Sequence, residues 1–127
     1  MIERYSRKEI KSIWDDYNKY SLWLDIELAA AESMEKLRII PKGVVKKVKS
    51  KAKINVKRIL QIENKVKHDV IAFLTSITEK AGKEARYLHK GMTSSDVVDT
   101  CFNLQLKQSG EILLKDINQL LLSLIHI

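Results

Sequence analysis

Apolar residues recur three and four positions apart through almost the whole chain, the spacing that lines one face of an α-helix. After a short polar lead over residues 1–5, Ser6-Arg7-Lys8-Glu9 has the form of a capping box, with the Ser6 hydroxyl accepting from the Glu9 amide. From there a short helix is predicted with Ile10, Ile13 and Trp14 on one side. Beyond Asp15 and Asp16 a longer helix runs to about Ile39, with Trp23, Ile26, Ala30, Met34 and Leu37 on its apolar stripe. Pro41 ends it and can open the next helix. Residues 42–52 read as a short exposed helix, and Asn55 caps another that turns Ile59, Leu60 and Ile62 inward. That helix runs out near Lys67-His68-Asp69, leaving these residues at a junction. Asp69 suits the first turn of the next helix, which Gly82 stops, and residues 83–88 make a further turn or two.

The last helix starts at Thr93 and carries Val97, Cys101, Leu104, Leu113, Ile117, Leu120 and Leu124 at helical spacing. No glycine cap or proline closes it, and so long an apolar stripe calls for a partner bundle, which points to a fragment of a longer protein. Residues 122–127 resemble the translated end of a transposase adapter used in sequencing libraries. The natural sequence is therefore expected to stop near Leu121, and His126 receives no role.

Composition narrows the picture. With 127 residues, 45% apolar, 31% charged, four glycines and one proline, the chain is one domain's worth of all-α protein. Its formal charge of +7 favours acidic partners in general, but the lysines over residues 42–57 alternate with valines like the solvated face of short helices. No arginine-rich or aromatic-interleaved segment supports nucleic-acid binding, and none is expected. Cys101 lies on the apolar side of the last helix, which suits a buried thiol in a reducing compartment, and with three scattered histidines it has no zinc-ligand spacing. No leader pattern or membrane-length apolar run is present, so a cytoplasmic location with no membrane partner is expected.

One stretch concentrates polar chemistry. Over residues 87–100, His89, the Gly91 turn and the hydroxyls of Thr93, Ser94 and Ser95 lead into the last helix, with Asp96 and Asp99 in its first turns. A helix start has unpaired N–H groups and a partial positive charge, so it can hold an anion; it can equally be capped by Thr93 or Ser94 with no ligand. His68, between Lys67 and Asp69, is open to opposing influences on its charge, and a plain salt bridge or cap competes with any binding role for Lys67 and Asp69.

Taken in order, Arg4-Tyr5-Ser6, the Trp14 and Trp23 helices, Arg58-Ile59-Leu60-x-Ile62-Glu63, Lys67-His68-Asp69-Val70-x-Ala72-Phe73 and His89-x-Gly91-x-Thr93-Ser94-Ser95-Asp96-Val97-Val98-Asp99-Thr100 resemble the N-terminal part of the bacterial adenylosuccinate lyase family, within the fumarase and aspartase superfamily. The resemblance runs from residue 1 to about residue 121. It implies an all-α fold in which residues 1–92 form the N-terminal helical domain, 93–121 begin a truncated central helical bundle, and 122–127 are a non-native tail. It implies elimination of fumarate from adenylosuccinate and from the succinyl-carboxamide ribotide of purine synthesis, with no cofactor or metal and with a homotetrameric parent. Arg4 and Tyr5 would contact the nucleotide, Lys67, His68 and Asp69 would form a second wall, and Thr93 and Ser94 would hold a carboxylate or phosphate. His68 and His89 would take supporting catalytic roles, His68 beside the family's acid and His89 on substrate. The family's acid is a histidine further along and its base a serine on a mobile loop, so the fragment by itself is expected to be inactive. Argininosuccinate lyase and carboxymuconate cycloisomerase share the fold and remain alternatives, as do a basic nucleic-acid-binding module and a helical interaction domain.

Overall fold

The computed structural model describes residues 2–127, and among these every regular element is helical. A single-turn 3-10 segment, Glu3–Tyr5, precedes α1 (Lys8–Ile13), α2 (Asp16–Lys36), α3 (Val44–Lys51), α4 (Val56–Val66) and α5 (Asp69–Ala81). A second 3-10 segment, Gly82–Tyr87, leads to α6 (Ser94–Ile125). Met1, the first residue of the expected polar lead, lies outside the described residues.

Helix ends follow local chemistry, with one correction. Asp15 caps α2 by accepting from the Asn18 amide at 2.7 Å, and Asn55 caps α4 by accepting from Arg58 at 3.1 Å. The capping box expected at Ser6 does not form. Its hydroxyl donates to the Ile2 carbonyl at 2.7 Å, tying down the preceding turn, so α1 starts without a side-chain cap and Glu9 pairs with Arg7 instead. Glu35 reaches from α2 to the start of α3, where its carboxylate accepts from the Gly43 and Val45 amides at 3.2 and 2.6 Å. These contacts neutralise orphan N–H groups at the start of α3.

The core is built around three aromatic rings. Tyr20 and Trp23 on α2 meet edge to face at 5.3 Å between centroids, and Phe73 on α5 stacks on Tyr20 at 6.0 Å and meets Trp23 edge-on at 5.5 Å. Val48, Ile59, Ile77 and Val97 close around them from α3, α4, α5 and α6. The buried side of α2 is Tyr20, Trp23, Glu27, Leu28 and Ala31, rotated from the expected stripe. Ile26, Ala30 and Met34 are half-buried, and Leu37 is exposed because α2 ends at Lys36. Leu60 is likewise exposed, whereas Ile59 and Ile62 are buried as expected. The short helix over residues 44–51 is exposed on one side only, since Val44 and Val48 are buried.

α1 clamps the chain's start onto α6. Gln105 donates to the Ile13 carbonyl at 2.7 Å, Trp14 donates to Ser109 at 3.0 Å, the Trp14 and Phe102 rings meet edge-on, and Arg7 pairs with Asp116. On the far half of α6 Leu113, Leu114, Ile117, Leu120, Leu121, Leu124 and Ile125 are exposed. Cys101 is buried, and burial pushes its thiol above the ordinary cysteine range.

Hydrogen bonds from Lys36, Arg58 and Lys47 hold Glu32, Glu79 and Glu84 below the ordinary glutamate range. A carboxyl whose pKa is depressed on folding stabilises the fold above its unfolded value, and that contribution is lost as pH falls through the folded value. Urea midpoints measured across the acid range should therefore decrease as pH drops below about 4.5. The effect should be small and salt-sensitive, because all three carboxylates face solvent.

Candidate active site

Two helix starts converge on one cleft. Lys67, His68 and Asp69, between α4 and α5, share a depression of about 420 Å³ with Ser94 and Ser95 in the first turn of α6, and with Glu63 and Val98. The α4 helix ends because Lys67 takes a left-handed conformation, φ 55°, and His68 returns to an extended one. The His68 Nδ1 then accepts from the Ile71 amide at 3.4 Å and the Asp69 carboxylate from the Val70 amide at 2.7 Å, so both side chains cap α5. Asp69 also lies 3.5 Å from the same His68 nitrogen. That nitrogen cannot accept from Ile71 and donate to Asp69 at once; the cap is preferred, because the Ile71 amide in the first turn of α5 has no other acceptor. The neutral ring then carries its hydrogen on Nε2.

Lys67 is exposed and its ammonium has no ion-pair partner among the described residues, so the salt bridge weighed for it with Asp69 is not made. Left-handed backbone is costly for a lysine and nearly free for glycine. Lys67→Gly should raise stability by up to about 1 kcal/mol, read as a higher urea midpoint at unchanged slope.

At the start of α6, Thr93 is the cap residue and its backbone N–H donates to the Asp96 carboxylate at 2.7 Å. Gly91, at φ 71°, makes the preceding turn possible. His89 stands on that turn, itself left-handed at φ 58°. Its backbone N–H and ring Nδ1 both meet the carboxylate of Glu27, each at 2.6 Å, and Glu27 is wholly buried.

The structure thus brings together Lys67, His68, Asp69 and Ser94 of the expected site residues, with Thr93 next to them in the chain. Arg4, Tyr5 and His89 do not line this cleft. Arg4 and Tyr5 are exposed, the guanidinium lying 4.8 Å from the centre of its neighbour's ring. Glu63, one helical turn before Lys67, and Ser95, the second hydroxyl of the α6 start, line the cleft without being expected site residues. Outside the cleft, Glu27 on the core side of α2 holds His89 and is likewise not an expected site residue. The signal for Glu27 was present in the spacing Trp23, Glu27, Ala31, where an acid interrupts residues four apart. No three acidic, histidine or cysteine side chains among the described residues are grouped as a metal site.

Taken as chemistry, the cleft offers hydroxyls, a histidine, an ammonium and a helix start in one concavity, beside two carboxylates. That is a polar binding surface on an all-α scaffold, with donors suited to oxyanions. The chain belongs to the lyase family: the family profile described as Lyase matches residues 6–125. It is similar to the adenylosuccinate lyase of Bacillus subtilis (strain 168), with 45% identity over 119 residues, covering 94% of this chain and 28% of that protein. In three dimensions it is similar to the fumarate lyase from Mesorhizobium sp. BNC1, with a TM-score of 0.71 and 22% identity, covering 81% of this chain and 26% of that one. The latter identity speaks for a shared fold. The chain spans about a quarter of the length of these relatives.

Proposed function

We propose that this chain is the N-terminal part of an adenylosuccinate lyase, which eliminates fumarate from adenylosuccinate to give AMP and from the corresponding succinyl-carboxamide ribotide. The observation that carries the reading is the 45% identity to the Bacillus enzyme over 94% of this chain, in which the residues of the cleft are included. Residues 1–92 serve as the N-terminal domain and 93–121 as the start of a central bundle, whose other helices would cover the apolar residues exposed on α6. The parent is a cytoplasmic homotetramer with a nucleotide substrate and no nucleic-acid or membrane partner. No helix among the described residues is long and apolar enough to cross a membrane.

Both substrates carry a phosphate and two carboxylates, so a site must offer several donors at close range. In this reading Ser94 and Thr93 hold one oxyanion at the start of α6, His89 meets another, and Arg4 and Tyr5 contact the nucleotide. Lys67, His68 and Asp69 form the opposite wall. His68, with its hydrogen on Nε2, supports proton transfer to the departing nitrogen. Elimination needs a base for the proton alpha to a carboxylate and an acid for that nitrogen, on opposite sides of the breaking bond. Both come from segments outside this chain.

The test is an exchange. The chain by itself should release no fumarate from adenylosuccinate, followed by ultraviolet absorbance. Grafted in place of the matching segment of the Bacillus subtilis enzyme, it should restore turnover. In that chimera His68→Ala should lower kcat by about a hundredfold. Ser94→Ala should raise KM by about tenfold, the loss of one charge-assisted hydrogen bond. A folded, tetrameric chimera without turnover would reject the reading.

A further inference from the structure

Glu27 is the one buried acid among the described residues, with none of its side chain exposed, and both its oxygens bond to one residue 62 positions away. We propose that Glu27 is a positioning residue for His89: it holds the ring with hydrogen on Nδ1, so that Nε2 is the ring nitrogen left to meet an anionic group of the substrate. The substrate part rests on the lyase reading above; the ring assignment does not.

An ionised carboxylate can only accept, so the hydrogen in the 2.6 Å contact between Glu27 Oε1 and His89 Nδ1 comes from the imidazole. The other carboxylate oxygen accepts the His89 backbone N–H at the same distance. One side chain therefore fixes both the backbone and the ring of the same histidine. That backbone is left-handed, a conformation glycine would adopt without strain, yet the position carries a histidine. If the turn alone mattered, a neutral acceptor on α2 and a glycine at position 89 would serve, without burying a carboxylate in the core. The ring is 22% exposed, and among the described residues no protein group hydrogen-bonds its Nε2. A neutral ring held this way accepts at Nε2. The imidazolium donates there, with its charge matched by Glu27, which is the form a phosphate or carboxylate would take.

Long-range proton–nitrogen NMR correlations of the histidine rings in this chain read the assignment directly. The expected result is a hydrogen-bearing Nδ1 on His89. In Glu27→Gln, where the amide can donate as well as accept, hydrogen should move toward Nε2 while circular dichroism stays helical. A His89 ring without hydrogen on Nδ1 in the unaltered chain would overturn the proposal, whether or not the variant folds. So would a folded Glu27→Gln chain with an unchanged ring pattern. In the Bacillus chimera Glu27→Gln should raise KM at least tenfold while kcat changes less. An equal KM in the variant would overturn the substrate part. A chimera with no turnover even with Glu27 in place, beside the expected ring pattern, would reject the lyase reading and leave the positioning role standing.

Discussion

Phe73→Ala should lower the unfolding free energy by about 3–5 kcal/mol, the usual cost of deleting a buried aromatic ring. Phe73 has no exposed surface and joins α5 to α2 through Tyr20 and Trp23. Its removal takes away apolar area buried from water, two ring contacts and the filling of the space between two helices, which the surrounding backbone cannot close fully. Because a domain of this size is stabilised by only about 5–15 kcal/mol, the variant should sit close to its unfolding midpoint. Urea denaturation followed by tryptophan fluorescence checks this, since Trp23 is an edge-on neighbour of the deleted ring. Loss of less than about 1 kcal/mol would mean that the trio is not packed as described.

The second large effect is expected at Glu27. Glu27→Ala should cost toward the lower end of about 3–5 kcal/mol, the range for removing one partner of a buried pair. Two donors lose their acceptor at once: the His89 amide and the His89 ring. The lower end applies because the His89 ring is partly exposed and can regain water. The turn at residues 89–91 should loosen with it, because the left-handed His89 is no longer held. Hydrogen exchange of the amides between Leu88 and Thr93 should speed up more than that of α5, which separates this local loosening from the general weakening caused by Phe73→Ala.

Much of the architecture was legible from residue order. Asn55 reads as a cap, and α4 starts where it stands; the helix expected after Asp15 and Asp16 starts there as well. Lys67-His68-Asp69 reads as a junction because Asp69 suits the first turn of a new helix, and the chain does turn there. Ser6 misled because a hydroxyl can bond backward as easily as forward, and only the preceding turn decides which. The stripe of α2 was read a fraction of a turn off, because periodicity weighs apolarity alone. The helix instead rotates to bury Tyr20 and Glu27, whose partners lie on α5 and on the turn before α6.

The same division holds for the site. His68, Ser94 and their neighbours were identifiable as groups able to bind anions, because hydroxyls, histidines and helix starts carry that chemistry wherever they stand. What residue order determined was the set of helices, their caps and an inventory of reactive groups, since each depends on neighbours within a turn or two of chain. Tertiary structure decided which of those groups share a cleft and which nitrogen of each histidine is occupied. The His89 ring meets an acid on α2, and the His68 ring meets an amide on α5. Such pairings depend on how helices pack across the core, at distances along the chain where local patterns carry no information.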